Sequence, residues 1–257
     1  MLTKRHNAIL KLLEVHGSLS VATLSQELDV SSETVRRDIR TLVEAGAAVR
    51  VHGAVGLAGQ IGEAPFERRM RENAAAKRAI ARALADRIAD GDTLMLDTGT
   101  TTSFLARELL GHRRLTVVTN SSDIARTLAT VNGNRVFMAG GELRGDSGAA
   151  LGASALAFIR SFAVQHAIIS AGAVDASGVM DFDLQEAEFA RTVLDCGEQR
   201  IVITDAGKFH RRGVIRVAGF DRIDRLVTDA SPPPEVAEVM AQAGTGLILA
   251  PAGDQGQ

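Results

Sequence analysis

The sequence predicts an α/β protein in two parts: an N-terminal winged helix-turn-helix, then a larger Rossmann-like domain built on a mainly parallel sheet. Three observations predict it. The first 57 residues carry three short amphipathic helical patterns followed by a small hairpin pattern. From residue 77 onward, short apolar runs bounded by turn residues alternate with helical patterns, which implies a parallel sheet covered on both faces. Where one such strand gives way to a helix stands a threonine-rich turn, Asp97-Thr98-Gly99-Thr100-Thr101-Thr102.

Taken in order, residues 3–16 place Ile9, Leu12 and Leu13 on one helical stripe, and Gly17 is expected to stop it. Ser20 is placed to cap a second helix with Val21, Leu24 and Leu28 inward. Ser31 or Ser32 caps a third helix that ends at Gly46. Residues 48–51 read as a strand, His52-Gly53 as a turn and 54–57 as a weak return strand. The expected domains are 1–57, a linker over 58–76, and 77–257. The linker holds Gly59, Gly62 and Pro65, and the charged run 67–72 within it reads as a solvated helix face. In the larger domain the candidate strands are 93–97, 115–119, 135–139, 166–170, 200–204 and 225–228. Helical patterns cover 77–89, 102–110, 122–130 and 184–196, and Pro232-Pro233-Pro234 precedes a last helix and strand.

Composition narrows the function. A hydrophobic share of 46% suits a packed soluble chain, and a net charge of -2 excludes a wholly basic nucleic-acid coat. DNA contact must therefore come from a local patch. No run is long and apolar enough to span a membrane, and the N-terminus lacks an apolar signal core. Cys196 is the single cysteine, so no intramolecular disulfide can form, and a cytoplasmic location is expected. The six histidines fall in no metal-ligand spacing; neither a metal nor a cofactor is expected.

With 3.6 residues per turn and Val35 facing inward, Ile39 and Leu42 share its arc on the third helix. Glu33, Arg37, Arg40 and Glu44 fall on the exposed side, with Arg36 at the flank. An outer face bearing Ser32, Glu33, Thr34, Arg36 and Arg37 suits a major groove, and Ser31 at the helix start suits a phosphate. Arg37 is the candidate for a base edge and Arg36 for the backbone, while Arg50 and His52 on the wing reach phosphate or the minor groove. Glu33 and Arg37 would also suit a plain i, i+4 pair on a solvated helix. The helix order and wing argue against that alternative.

In the larger domain, Asp97–Thr102 combines a turn-forming glycine, the three hydroxyls of the consecutive Thr100, Thr101 and Thr102, and a helix start with unpaired N–H groups. That makes an anion cradle suited to phosphate. Taken alone, it could equally be a capped helix start that binds nothing. It matches neither a Walker loop nor a dinucleotide fingerprint. Thr119-Asn120-Ser121 also follows a strand, and Gly140-Gly141 follows the next; strand-end loops of an open parallel sheet converge on one crevice. Asn120 suits a sugar hydroxyl, whereas Gly140 and Gly141 also read as a tight turn. Asp183 and Glu186 begin a helix, where acids favour the dipole without any ligand, and Lys208 follows a strand end.

The segment Ser31-Ser-Glu-Thr-Val-Arg-Arg-Asp-Ile-Arg-Thr-Leu42, with Gly46 and Arg50-Val-His-Gly53, resembles the signature of the DeoR family of bacterial sugar-metabolism repressors. The likeness continues through Lys77, residues 92–102, Val117–Ser121, Gly140-Gly141, Gly152, Asp183 with Glu186, and Asp205 with Lys208-Phe209. It implies a sensor domain resembling ribose-5-phosphate isomerase, with Asp97, Thr100, Thr101, Asn120, Asp183, Glu186 and Lys208 lining an effector pocket. It also implies a repressor of a carbohydrate operon that binds double-stranded operator DNA as a dimer or tetramer and is released by a phosphorylated sugar or polyol. The alternative from another class is a sugar-phosphate isomerase or deaminase, since an acid pair and a lysine beside a phosphate can support enolisation. A fused DNA-reading module discriminates against it, because an isomerase has no need for one.

Overall fold

The computed structural model describes residues 3–16, 18–51, 54–57, 63–209 and 211–251. The expected helix stop at Gly17, the wing turn His52-Gly53, and Gly59 and Gly62 of the expected linker lie outside the described residues. The chain divides into two compact units, Met1–Pro65 and Phe66–Gln257.

The first unit runs α1 (Lys4–His16), β1 (Ser18–Ser20), α2 (Val21–Glu27), α3 (Ser32–Glu44), β2 (Ala48–Val51) and β3 (Ala54–Leu57). The side chain of Ser20 caps α2 by accepting from the Thr23 amide, and Ser31 caps α3 by accepting from Thr34. Gly46, at φ +65°, takes the left-handed turn that ends α3. Val35, Ile39 and Leu42 of α3 meet Ile9, Leu13, Leu24, Ala48 and Val55 in one core. Each large aliphatic side chain buried there contributes about 1.5–3 kcal/mol. The strands form an antiparallel sheet in the order β1-β3-β2. The sequence did not mark β1, whose three residues are too few to carry a period.

The second unit begins with α4 (Phe66–Arg71) and α5 (Ala74–Ala85), so the expected linker over 58–76 runs into it. Lys77 is buried and its Nζ donates to the Glu72 carbonyl at 2.8 Å, which ties the end of α4 to α5. There follow β4 (Thr93–Leu96), α6 (Thr100–Glu108), β5 (Thr116–Thr119), α7 (Ser122–Leu128), β6 (Arg135–Met138), α8 (Ala153–Ile159) and β7 (Val164–Ser170). Then come β8 (Ala173–Asp175), β9 (Gly178–Asp181), α9 (Leu184–Asp195), β10 (Gly197–Ile203), β11 (Ile215–Ala218), β12 (Arg225–Thr228), α10 (Pro234–Ala243) and β13 (Gly246–Leu249).

Seven strands form a fully parallel sheet in the order β13-β12-β10-β7-β4-β5-β6. Side chains alternate across it. Leu94 and Leu96 join α5, α6 and α7 on one face, while Met95 joins α8, α9 and α10 on the other. The expected strands all exist, with ends displaced by up to three residues. Helix α6 begins at Thr100 and not at residue 102, so Thr100, Thr101 and Thr102 all lie in its first turn. An antiparallel sheet, β11-β9-β8, was not expected; its strands are short and two of them are joined by a tight Asp175–Gly178 turn.

The strand order fixes where a ligand crevice opens. From β4 the chain steps outward to β5 and β6, then returns to lay β7 on the other side of β4. The direction of winding reverses between β4 and β7, and crevices in open parallel sheets open at the carboxyl ends of such strands. Asp97 and Ser170 stand there.

Candidate functional site

On α3 the side chains of Ser31, Ser32, Glu33, Arg36, Arg37 and Arg40 are exposed, as is Arg50 on β2, and Thr34 is half-buried. The Ser31 and Thr34 hydroxyls lie 2.9 Å apart, and the Ser31 oxygen takes the Thr34 amide at 3.2 Å. Both are therefore engaged in the cap. Glu33 pairs with Arg36 at 3.7 Å, and among the described residues no ion pair reaches Arg37 or Arg40. His52 lies outside the described residues.

Sequence reasoning missed the acid on the buried side of this helix. Asp38 is 5% exposed and its carboxylate takes the Arg5 guanidinium through two nitrogens and His6 Nε2 at 3.2 Å. The Arg5 bond above all holds the Asp38 pKa below its ordinary value. The available signal was its position three residues after Val35, on the inward side of the helix.

In the second unit, Gly99 is the N-cap of α6 and supplies no side-chain bond to the first amides of that helix. Thr100 and Thr101 sit in the first turn, both nearly buried, and among the described residues their hydroxyls have no protein partner. Thr102 differs: it is fully buried and its hydroxyl turns back to the Asp97 and Gly99 carbonyls at 3.1 and 3.0 Å. Thr119 is likewise buried and accepts from the Ser121 amide at 3.1 Å. These two expected ligand contacts are used by the fold itself.

Asn120 is also committed internally. Its side-chain oxygen accepts from the Thr98 hydroxyl at 2.9 Å and its amide donates to the Ala150 carbonyl at 3.0 Å. Gly141 has φ +146°, a conformation that favours glycine, and the Gly140 carbonyl accepts from Ser154 at 3.4 Å. Both read as turn makers of the β6–α8 connection, residues 139–152.

Asp97 is buried beneath the cradle. Its Oδ2 accepts from the Ser170 amide at 3.0 Å and the Ser170 hydroxyl at 3.3 Å, while Oδ1 has no partner among the described residues. Burial pushes its pKa up to about 7 against the bonds from Ser170 and Thr102, and the nearby charge of Asp181 adds to the rise.

Asp183 and Glu186 do not stand open at the crevice. The Asp183 carboxylate caps α9 by accepting from the amides of Gln185 and Glu186, and it also holds Arg144 Nη2 at 2.9 Å. Glu186 takes Arg144 Nη1 at 3.0 Å, and the Gln185 side chain takes Nη2 at 2.9 Å. Burial opposes the charges of both partners, but their mutual bond and charges win, so the Arg144 pKa rises and the Asp183 pKa falls. Lys208 ends a 3-10 turn, Ala206–Lys208, after β10; its neighbour Gly207 leans on the Asp205 carboxylate, which accepts its amide at 3.1 Å.

A helix-turn-helix unit followed by a parallel-sheet unit with a strand-end crevice is the make-up of a ligand-responsive transcription regulator. Family models agree with that class. Residues 5–60 match the DeoR-like helix-turn-helix domain, and residues 72–230 match the DeoR C terminal sensor domain. The chain belongs to the DeoR family of transcriptional repressors. It is similar to the glycerol-3-phosphate regulon repressor of Escherichia coli (strain K12), 33% identical over 248 residues, covering 96% of this chain and 98% of that protein. The HTH-type transcriptional repressor CsqR of the same organism is 34% identical, covering 95% of this chain and 94% of that protein. HTH-type transcriptional regulator IolR of Bacillus subtilis (strain 168) is 28% identical, covering 91% and 94%. Among solved structures, ribose 5 phosphate isomerase A from Neisseria gonorrhoeae superposes at TM-score 0.38 with 16% identity, covering 53% of each chain, too loosely to carry an argument.

Proposed function

We propose that this repressor controls a carbohydrate-metabolism operon, that α3 reads its operator as part of a homo-oligomer, and that a phosphorylated sugar or polyol in the crevice releases it. The observation that carries the effector class is the uncapped start of α6 at the β4/β7 reversal. Open amides and the Thr100 and Thr101 hydroxyls face a site where the helix dipole favours an anion. The relatives' names support control of a carbohydrate regulon, since a glycerol-3-phosphate regulon repressor is among them. Paired recognition helices match palindromic half-sites, which favours a dimer or tetramer. Among the described residues no helix is long and apolar enough to cross a membrane, consistent with work in the cytoplasm.

In this reading the crevice holds its ligand without turning it over, because a sensor gains from binding and needs no transition-state fit. A tenfold loss of operator affinity requires only about 1.4 kcal/mol of coupling between ligand and domain arrangement. The test is a thermal-shift screen against sugar and polyol phosphates, followed by gel shifts with the best binder. Thr101→Asp sets a carboxylate against the phosphate, and the expected result is a variant that binds operator but is not released. Normal release from that variant overturns the cradle assignment.

A further inference from the structure

Asp181, Asp183 and Glu186 follow one another from the end of β9 into α9, and Asp181 acts electrostatically on buried Asp97, so an anion approaching this wall meets repulsion unless fixed cations oppose them. Arg144 is placed to do so. A chain of contacts runs round the mouth of β4. The Thr98 hydroxyl bonds Asn120, Asn120 bonds Ala150 through both its backbone and side chain, and the same β6–α8 connection carries Arg144. Arg144 then forks onto Asp183 and Glu186, the Asp183 amide bonds Asp181, and Asp181 lies within electrostatic reach of Asp97. The guanidinium thus bridges from the connection beyond β5 to the start of α9, which follows the β8–β9 hairpin beyond β7. Strand β4, which carries the cradle, lies between those two.

The donors can be counted. A guanidinium has five N–H groups. Glu186 takes one from Nη1, and Asp183 and Gln185 take both from Nη2. Nε–H and the second Nη1–H have no acceptor among the described residues, and the side chain is 30% exposed. A planar fork held by three acceptors, with two donors left over, is pre-organised for a phosphate or carboxylate oxygen.

We propose that Arg144 is the effector-binding residue on this wall of the crevice, and that Asp183, Gln185 and Glu186 are positioning residues that orient it. The inference rests on the anionic-effector reading above. It reassigns the acid pair: the carboxylates do not touch the ligand but aim the arginine that does.

The test is a double-substitution cycle read by calorimetry on the full-length protein. The probes are glycerol 3-phosphate, ribose 5-phosphate and inorganic phosphate, each with and without Arg144→Gln, Arg144→Lys and Glu186→Gln. For the tightest-binding probe, Arg144→Gln is expected to weaken binding about 10- to 100-fold, the size of a lost charge-assisted hydrogen bond. Arg144→Lys keeps the charge but loses the fork, and is expected to recover part of the loss. Glu186→Gln is expected to weaken binding in the parent but to have no further effect once Arg144 is glutamine. Unchanged affinity in Arg144→Gln overturns the proposal. So does an equal Glu186→Gln loss in both backgrounds, because the acid then touches the ligand itself. Unaltered operator binding by every variant is expected and separates a ligand effect from misfolding; an Arg144→Gln loss that follows unfolding, with the Arg144→Lys protein folded and binding like the parent, also overturns it. If the parent binds none of the three probes and none releases operator, the effector reading itself falls and takes this proposal with it.

Discussion

Gly99 and Ser170 approach so closely that no side chain fits between them: a Cβ at Gly99 would stand 1.9 Å from Ser170 Oγ and 2.7 Å from Ser170 Cβ. The backbone at Gly99 is extended and any residue could adopt it, so the requirement is one of space alone. The contact joins the ends of β4 and β7 and lets Ser170 reach Asp97. Gly99→Ala is therefore expected to cost about 1–3 kcal/mol through overpacking, and to weaken effector response before operator binding. Ser170→Ala will not rescue it, since the Cβ remains; Ser170→Gly will. Urea unfolding of the three variants checks this, and a Gly99→Ala protein as stable as the parent refutes it.

On α3, Arg37→Ala is expected to weaken operator binding by about 1–3 kcal/mol and to relax sequence preference. Arg36 pairs with Glu33 and sits at the flank, so Arg36→Ala should weaken all DNA sequences evenly and flatten the salt dependence by about one unit. Gel shifts over a salt series separate the two. Parent-like binding by both variants would show that a different surface reads DNA.

Asp38 anchors the same helix from beneath. A carboxyl whose folded pKa lies below its ordinary 3.8 adds stability above that value and loses it as pH falls through the lowered folded value. Asp38→Ala is expected to destabilise the first unit by about 1–3 kcal/mol, leaving Nε2 of buried His6 without its partner. DNA binding should fall although no reading residue is touched. The checks are acid and urea titrations by circular dichroism; an acid midpoint identical to the parent's would sink the assignment.

The architecture was legible because burial and chain direction write strong periods. Leu94, Met95 and Leu96 declare a strand covered on both faces, and Val35, Ile39 and Leu42 declare the inner side of α3. The turn from β4 into α6 was legible as a glycine followed by three threonines at a strand end. What the sequence hid was pairing across distance. Nothing local says that Arg144, some forty residues before Asp183 and Glu186, takes both acids, or that Thr102 and Thr119 spend their hydroxyls on nearby backbone. Hydroxyls and carboxylates look alike in a sequence whether they serve a ligand or the fold; only the acceptor's position decides. The β8–β9–β11 sheet escaped for a plainer reason: strands of three and four residues hold too few periods to register.

Buried Asp97, whose Oδ1 has no partner among the described residues, is expected to make effector binding sensitive to pH. Burial lifts this carboxyl from 3.8 to about 7, so the folded chain holds a proton that the unfolded chain releases. The sign follows directly. Below 3.8 the group is neutral in both states and costs nothing; as pH rises it increasingly destabilises the fold, by up to about 4 kcal/mol once pH exceeds 7. Asp97→Asn keeps an acceptor for the Ser170 amide but cannot ionise, so its stability relative to the parent should be greater at pH 8 than at pH 5. The same proton is expected to govern effector affinity. A phosphate group with its second pKa near 6 is about nine-tenths ionised by pH 7, so between about pH 7 and 8.5 the group that changes most is Asp97. Parent affinity for a phosphorylated effector should fall across that window by up to tenfold per pH unit, because the anion must either face a second anion or recruit a proton. Binding at pH 8 should accordingly take up a proton, seen as a heat that changes with the ionisation enthalpy of the buffer. Asp97→Asn should bind with flat affinity and buffer-independent heat, and parallel pH profiles for parent and variant would show that Asp97 does not carry the proton.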